Sequence, residues 1–167
     1  MREPQVVERI EARLLEALRQ AGLRLTVQRR AICRYLAESD EHPTVQDIYQ
    51  ALKPRYPSLS LATVYNTVDL LVQLGAIHAL GTAGDDAVHY DADVSPHVNL
   101  ACIRCHRVVD LPSTQVQELE EEVRQRSGYR VLGARVLYYG LCPQCQAEET
   151  AFTTTMTTIS ALGGASQ

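Results

Sequence analysis

Four cysteines carry the plainest chemistry in this sequence. Cys102 and Cys105 form one Cys-x-x-Cys pair, Cys142 and Cys145 form a second, and 36 residues separate the pairs. A Cys-x-x-Cys turn converges two sulfurs on one ion, and four thiolates in two such turns match the closed tetrahedral site of structural zinc. Zinc bound in this way supplies about 10–16 kcal/mol of apparent binding energy, comparable with the whole stability of a small domain. An iron–sulfur cluster also takes four cysteines, and the spacing does not separate the two. A thioredoxin-like redox pair needs one Cys-x-x-Cys at the start of a helix after a strand, and neither pair reads that way. Oxidation of the thiolates would release a bound ion. The fifth cysteine, Cys33, lies among apolar neighbours and reads as a core thiol.

Carboxylates and imidazoles offer a second donor set. The histidines are His42, His78, His89, His97 and His106, and any one alone is ordinarily a surface or hydrogen-bonded residue. Context singles some out. His42 opens the loop "HPTVQDIY", Asp91 ends an apolar–turn–apolar segment, His97 lies five residues before Cys102, and Asp110 ends the strand pattern that follows Cys105.

The elements that must carry these groups follow from periodicity. Val6, Ile10, Leu14, Leu15 and Leu18 recur at helical spacing before Gly22, predicting a first helix. Thr26 caps a second with Ile32, Cys33, Leu36 and Ala37, and Thr44 caps a third with Ile48, Tyr49 and Leu52 before Pro54. Ser58 or Ser60 caps a fourth, "LATVYNTVDLLVQLG". Its Val64, Val68, Leu71 and Val72 face inward, and its Thr63, Asn66, Thr67 and Asp69 face outward. "AIHALGTAGDDAVHY" reads as a hairpin around a Gly/Asp turn. Helices followed by a hairpin give winged-helix order, the fourth helix reading DNA and the hairpin forming the wing. An ordinary small helical domain has the same pattern. Beyond Asp91 come strands "VNLACIR" and "HRVVDL", a helix over about 113–127, and a long strand "YRVLGARVLYYG". The fold class is therefore α+β: a winged-helix unit over 1–90, a zinc-stapled unit over 91–148, and a Thr/Ser/Gly-rich tail over 149–167 that reads as disordered.

Length and charge fit that division. The 167 residues suffice for two small domains. Ten Lys/Arg against nine Asp/Glu lie in residues 1–80, and six against eleven in the remainder, so the halves carry +1 and −5. An acidic second half suits cation binding or solubility. The first half is not strongly basic, but nine of its ten cations are Arg, the better ligand for phosphates and base edges. No apolar run is long enough for a membrane span and the start has no secretory pattern, so a cytoplasmic protein with reduced cysteines is expected.

"AGLRLTVQRRAI", "HPTVQDIY", "LATVYNTVDLLVQLGAI", "HYDAD", "PHVNLACIRCHRVVDL" and "YYGLCPQC" together resemble the ferric uptake regulator (Fur) family over roughly residues 10–147. The resemblance implies a winged helix joined to an α/β dimerisation domain, a regulatory metal at the hinge, and a homodimer acting as a repressor on a palindromic operator. It implies His42, Asp91, His97 and Asp110 as regulatory ligands. Aspartate at both carboxylate positions, with Asn66 after Tyr65, is more similar to the peroxide-sensing (PerR) branch than to the iron-uptake branch. Where the family commonly has another histidine this chain has Asn99, so Asn99 or His89 is a further candidate ligand. Ala134 stands where a histidine of an additional site is usual, which predicts a single sensory site. Two imidazoles and two carboxylates suit Fe²⁺ or Mn²⁺ better than a soft ion, although zinc also binds such groups. For DNA, the resemblance implies contacts by Tyr65 and Asn66 in the major groove, by Ser60, Thr63 and Thr67 on phosphates or base edges, and by Arg24 at the minor groove. Iron- or zinc-uptake repression in the same family, or a zinc-ribbon thiol redox protein, are the competing readings; an enzyme would need a cleft or nucleophile, and neither is evident.

Overall fold

The computed structural model describes residues 2–131 and 134–149. Four helices come first: α1 (Pro4–Gln20), α2 (Val27–Glu38), α3 (Val45–Leu52) and α4 (Leu61–Gln73). The caps read from the sequence are the caps observed. Thr26 accepts from the Arg29 N–H, Ser60 accepts from the Thr63 N–H, and Thr44 forms a reciprocal capping box with Asp47. Each such cap stabilises its helix by about 1 kcal/mol and fixes where the chain enters it. Leu14 and Leu18 of α1, Ile32 and Leu36 of α2, and Val64 and Leu71 of α4 are buried in one core. Each contributes about 1.5–3 kcal/mol of apolar burial.

The hairpin follows as β1 (His78–Gly81) and β2 (His89–Asp91), antiparallel, with Asp91 opposite His78. A three-stranded sheet comes next, built from β3 (Val98–Cys102), β4 (Val108–Leu111) and β5 (Val136–Gly140) in the order β4-β3-β5. β3 and β4 are antiparallel, whereas β3 and β5 are parallel and α5 (Thr114–Ser127) is the crossover between β4 and β5. The chain is helical again over 143–149. A second, much smaller core joins the hairpin to the sheet: Ala83 packs with Ala101 and Val108, flanked by Leu80 and Leu137.

Three expectations change. Thr67 is buried rather than outward, because it lies three residues after Val64 and one before Val68 on the face that α4 turns to the core. Its Oγ1 donates to the Thr63 carbonyl, which satisfies the hydroxyl within the helix. Val72, expected inside, is only half-buried. The last strand is shorter than its pattern, running only over Val136–Gly140. The tail expected to be disordered lies outside the described residues from 150 onward. No helix among the described residues is long and apolar enough to cross a membrane.

Candidate metal centres and the DNA-reading face

Cys102 ends β3, Cys105 lies in the turn beyond it, and Cys142 and Cys145 follow β5, which is hydrogen-bonded to β3. Parallel pairing of β3 with β5 thus delivers both Cys-x-x-Cys segments to one end of the sheet. All four sulfurs lie within 4.8 Å of one another. The Sγ atoms of Cys105 and Cys142 are 3.8 Å apart. With Zn–S bonds of about 2.3 Å, the edge of a tetrahedron of sulfurs is about 3.8 Å, so the spacing fits zinc. Backbone N–H groups of Cys105 and Cys142 aimed at the Cys102 sulfur hold that thiol down at about 5, which favours the thiolate that binds metal. Burial and the neighbouring sulfurs push Cys145 up to about 12. The second pair does stand at the start of a helix after a strand, contrary to the sequence expectation. Against a two-cysteine redox pair stands the convergence of four sulfurs.

The other cluster is His42, Asp91, His97 and Asp110, again within 4.8 Å. Four different segments supply it: the loop before α3, the end of β2, the link into β3, and β4. His42 Nε2 is 2.8 Å from Asp110 Oδ1 and 3.8 Å from Asp91 Oδ1. His97 Nε2 is 3.1 Å from Asp91 Oδ2 and 3.4 Å from Asp110 Oδ1. Despite these distances, His42 Nε2, His97 Nε2 and Asp91 Oδ2 are buried and none is aligned for a hydrogen bond. Four donor atoms gathered within 4.8 Å, three of them buried without a hydrogen-bond partner, can share one cation.

The opposite edge of each imidazole explains its orientation. His42 Nδ1–H donates to the Val108 carbonyl at 3.3 Å, and His97 Nδ1–H donates to the Ser95 carbonyl at 2.7 Å. Donation from Nδ1 sets the tautomer that leaves Nε2 as the ligand atom. Asp91 Oδ1 accepts from the Asp93 N–H at 2.7 Å. The neighbouring carboxylates of Asp110 and Asp91 raise His97 to about 11 in the metal-free site. Burial raises the Asp110 carboxyl, but the two imidazoles outweigh it and hold Asp110 well below the usual carboxylate range. Two borderline nitrogens and two hard oxygens fit Mn²⁺, Fe²⁺ or Zn²⁺.

His89 is not part of this cluster. Its Nδ1–H donates to the His42 carbonyl at 2.8 Å and its Nε2 sits 3.1 Å from Asp85, so both nitrogens are engaged elsewhere. His89 thus holds the backbone of His42, a member of the cluster, without belonging to it. Asn99 is buried on β3, directly across from Asp110 on β4.

On α4, Tyr65 is 54% exposed and Asn66 is exposed beside it. Ser60 and Arg24 are exposed and Thr63 is half-buried, whereas Thr67 lies in the core and has no free face for DNA.

Comparison with known proteins fits this arrangement. Residues 20–139 match the model of the ferric uptake regulator family. The peroxide-responsive repressor PerR of Staphylococcus aureus (strain Mu50 / ATCC 700699) is 39% identical over 143 residues, covering 84% of this chain and 96% of that one. The chain belongs to the ferric uptake regulator family. It is accordingly a metal-responsive transcription regulator and not an enzyme. Among solved structures, a ferric uptake regulator from Pseudomonas aeruginosa with manganese superposes with a TM-score of 0.64 at 25% identity, covering 77% of this chain and 97% of that one. A zinc-bound manganese uptake regulator superposes at 0.58 and 28%, covering 77% and 98%.

Sequence reasoning missed the residues that tie the Asp91 segment of this Fur-family chain to the helices. Arg13 of α1 donates to the Ala76 carbonyl, just after α4, and to the Ala92 carbonyl, next to Asp91, both at 2.5 Å. Arg2 lies 4.0 Å from Asp91. The signal was present for Arg13: it stands between Ile10 and Leu14 on the buried flank of α1, where a charge needs a partner.

Proposed function

We propose that this chain is a metal-dependent DNA-binding repressor that responds to peroxide through oxidation of a ligand histidine. In this reading residues 1–90 bind DNA and residues 91–148 dimerise, with the hinge ligands between them. The cysteines hold structural zinc, and His42, Asp91, His97 and Asp110 hold Fe²⁺ or Mn²⁺ as the regulatory ion. The observation that carries the reading is the His/Asp cluster assembled from both sides of the hinge, with His42 Nε2, His97 Nε2 and Asp91 Oδ2 buried and without hydrogen-bond partners. An ion there would bond to loop, wing and sheet at once, and so favour one relative placement of the two units. The named role of the PerR relative supports peroxide as the signal.

Bound iron would supply the activation of peroxide. The net change at the protein is that an imidazole ring C–H becomes C–OH, the peroxide O–O bond breaks, and the second oxygen leaves as water. The ring gives up two electrons and peroxide takes them. An oxidised ring is a poorer ligand, so the hinge is released and DNA with it. With Mn²⁺ the repressor would bind DNA but resist peroxide.

Tyr65 and Asn66 would read the major groove, Ser60 and Thr63 would reach phosphates or base edges, and Arg24 would approach the minor groove. A homodimer presents two such faces to a palindromic operator in the cytoplasm. The manganese uptake regulator among the similar structures favours a second reading, a metal-uptake repressor without a peroxide response.

Operator binding is measured with Fe²⁺, Mn²⁺ and Zn²⁺ separately, before and after peroxide, followed by peptide mass analysis. The expected result is loss of binding only with Fe²⁺, with a mass gain of one oxygen on the His42 or His97 peptide. Loss of DNA binding without that gain would remove the oxidation mechanism, and full binding after peroxide would favour the metal-uptake reading.

A further inference from the structure

Asp91 stands on a slender element. It ends β2, which has three residues, and the pairing of β2 with β1 is irregular between Ala79 and Gly81. A two-stranded hairpin is marginal by itself, so a pull on Asp91 would bend the hairpin before it turned the helices, unless the base of the hairpin were held. Arg13 of α1 holds it. The ladder ends where His78 faces Asp91, and beyond that pair lie Ala76 on the entering strand and Ala92 on the leaving one. One guanidinium nitrogen of Arg13 donates to the Ala76 carbonyl and the other to the Ala92 carbonyl, both at 2.5 Å. The result is an added rung of two charge-assisted bonds across the open end of the hairpin. Ala76 and Ala92 are buried in the same core as Ile10 and Leu14, the neighbours of Arg13 on the buried flank of α1. Ala76 is also bonded to the last turn of α4, since its N–H donates to the Leu71 carbonyl at 2.8 Å. Arg13 takes backbone oxygens, and Asp91 Oδ2 stays without a hydrogen-bond partner, so the segment is held while that carboxylate oxygen remains open.

We infer that Arg13 is a positioning residue that passes a displacement of Asp91 to α4, and so sets how far metal binding raises operator affinity. The inference rests on the proposed reading of the His/Asp cluster as the regulatory metal site and of α4 as the helix that reads DNA. With the rung in place, Asp91, Ala92, the guanidinium and Ala76 move as one piece with α1 and the end of α4. Without it the hairpin absorbs the displacement and the helices stay where they are. The forked shape of the side chain is essential, because a guanidinium presents two nitrogens to two carbonyls at once and an ammonium is a single point donor. Coupling of this kind is measured by the factor by which one ligand changes the affinity for the other, and that factor is the same in both directions.

The test compares the full-length, zinc-loaded protein with Arg13→Met, which keeps most of the apolar stem and removes every donor, and with Arg13→Lys, which keeps the charge but not the fork. Operator affinity is measured by fluorescence anisotropy, metal-free and with saturating Mn²⁺, and the ratio of the two is the coupling. Mn²⁺ affinity without DNA is read from the loss of the free-ion electron paramagnetic resonance signal. Arg13→Met is expected to lower the coupling at least tenfold, with Mn²⁺ affinity and metal-free operator affinity each within threefold of the parent. Arg13→Lys should lower it at least threefold, and decides the question if Arg13→Met fails to fold. By reciprocity, operator DNA should raise Mn²⁺ affinity less in each variant, by the same factor. A drop in coupling smaller than threefold overturns the inference, even where operator affinity itself falls, because an equal loss with and without Mn²⁺ marks a merely structural role. A tenfold loss of Mn²⁺ affinity without DNA overturns it too, since Arg13 would then shape the site instead of relaying its state. Asp91→Asn is the control for the reading beneath. Coupling lost in Asp91→Asn but kept in the Arg13 variants removes the relay and leaves the cluster standing. Coupling in Asp91→Asn equal to the parent's removes the cluster as the regulatory site, and the relay with it.

Discussion

His42 and His97 commit one ring nitrogen each to a backbone carbonyl and turn the other to the same two carboxylates. Without a bound ion, Asp110 and Asp91 raise His97 from 6.5 to about 11, which favours the protonated ring that a cation would have to displace. The sign follows. A histidine whose folded pKa is raised stabilises the metal-free fold fully below about pH 6.5, and that contribution fades as pH rises through the folded value. Metal binding runs the other way and should tighten with pH, by about tenfold per unit where one proton is released. Mn²⁺ affinity measured from pH 6.5 to 8.5 is expected to show that slope, and His97→Ala to flatten it. A flat profile in the parent chain would mean that His97 is not displaced by the ion. Much of this site was legible in advance, since His42, Asp91, His97 and Asp110 were singled out by context and resemblance. The fate of His89 was not. Its type and its place two residues before Asp91 suit a ligand, and only the fold reveals the His42 carbonyl and Asp85 that engage both its nitrogens.

At the scale of the helix, the same lesson concerns faces. α4 was correctly bounded because Ser60 is a strong cap and the apolar positions repeat at helical spacing. Thr67 was misread because a threonine is polar by type, but its position belongs to the stripe of Val64, Val68 and Leu71. Its hydroxyl is already satisfied by the Thr63 carbonyl, so it demands nothing from DNA or solvent. Thr67→Val, nearly the same shape, is therefore expected to leave operator affinity within about twofold of the parent. Tyr65→Ala removes an exposed ring from the face of α4 proposed to read DNA and should weaken the same binding at least tenfold, about 1.4 kcal/mol, while thermal stability stays near the parent's. Fluorescence anisotropy with a labelled operator separates the two. A Thr67→Val variant as weak as Tyr65→Ala would put Thr67 back on the DNA. Helix α1 adds a link that pattern could not reveal, because Arg13 joins the turn after α4 to the residue after Asp91. One guanidinium thus ties the turn after α4 to the segment beside Asp91.

Across the whole molecule, the two halves are unequally built. The helical half has a broad core, whereas the only other core cluster among the described residues is Ala83, Ala101 and Val108, and its Ala83 comes from the wing. Zinc held by the four cysteines would explain part of how so thin a core persists. Contact with the wing explains another part. Gly84 adopts φ +85, and a Cβ there would lie 2.9 Å from the Ile103 carbonyl oxygen, so the wing tip presses its backbone onto the cysteine turn where a side chain has no room. His106 Nδ1–H donates to the Ala83 carbonyl across the same contact. The remaining deficit is on the outside of the sheet. Leu100, Val109 and Tyr138 are cross-strand neighbours on one face and all are exposed, as are Leu111 on β4 and Leu119 and Val123 on α5. An exposed apolar sheet face of this kind marks an interface, and a second copy of this chain is the partner that the proposed dimer requires. Leu100→Glu puts a charge at its centre. Two copies pairing through this face would bury two unpaired carboxylates, a cost of several kcal/mol. Dimer dissociation measured by sedimentation equilibrium should become at least a hundredfold easier, with operator binding lost because one winged helix cannot span both half-sites. Zinc content should stay at one ion per chain, since the cysteines lie at the end of the sheet and not on this face. If Leu100→Glu remains as dimeric as the parent chain, the outer sheet face is not where two copies meet.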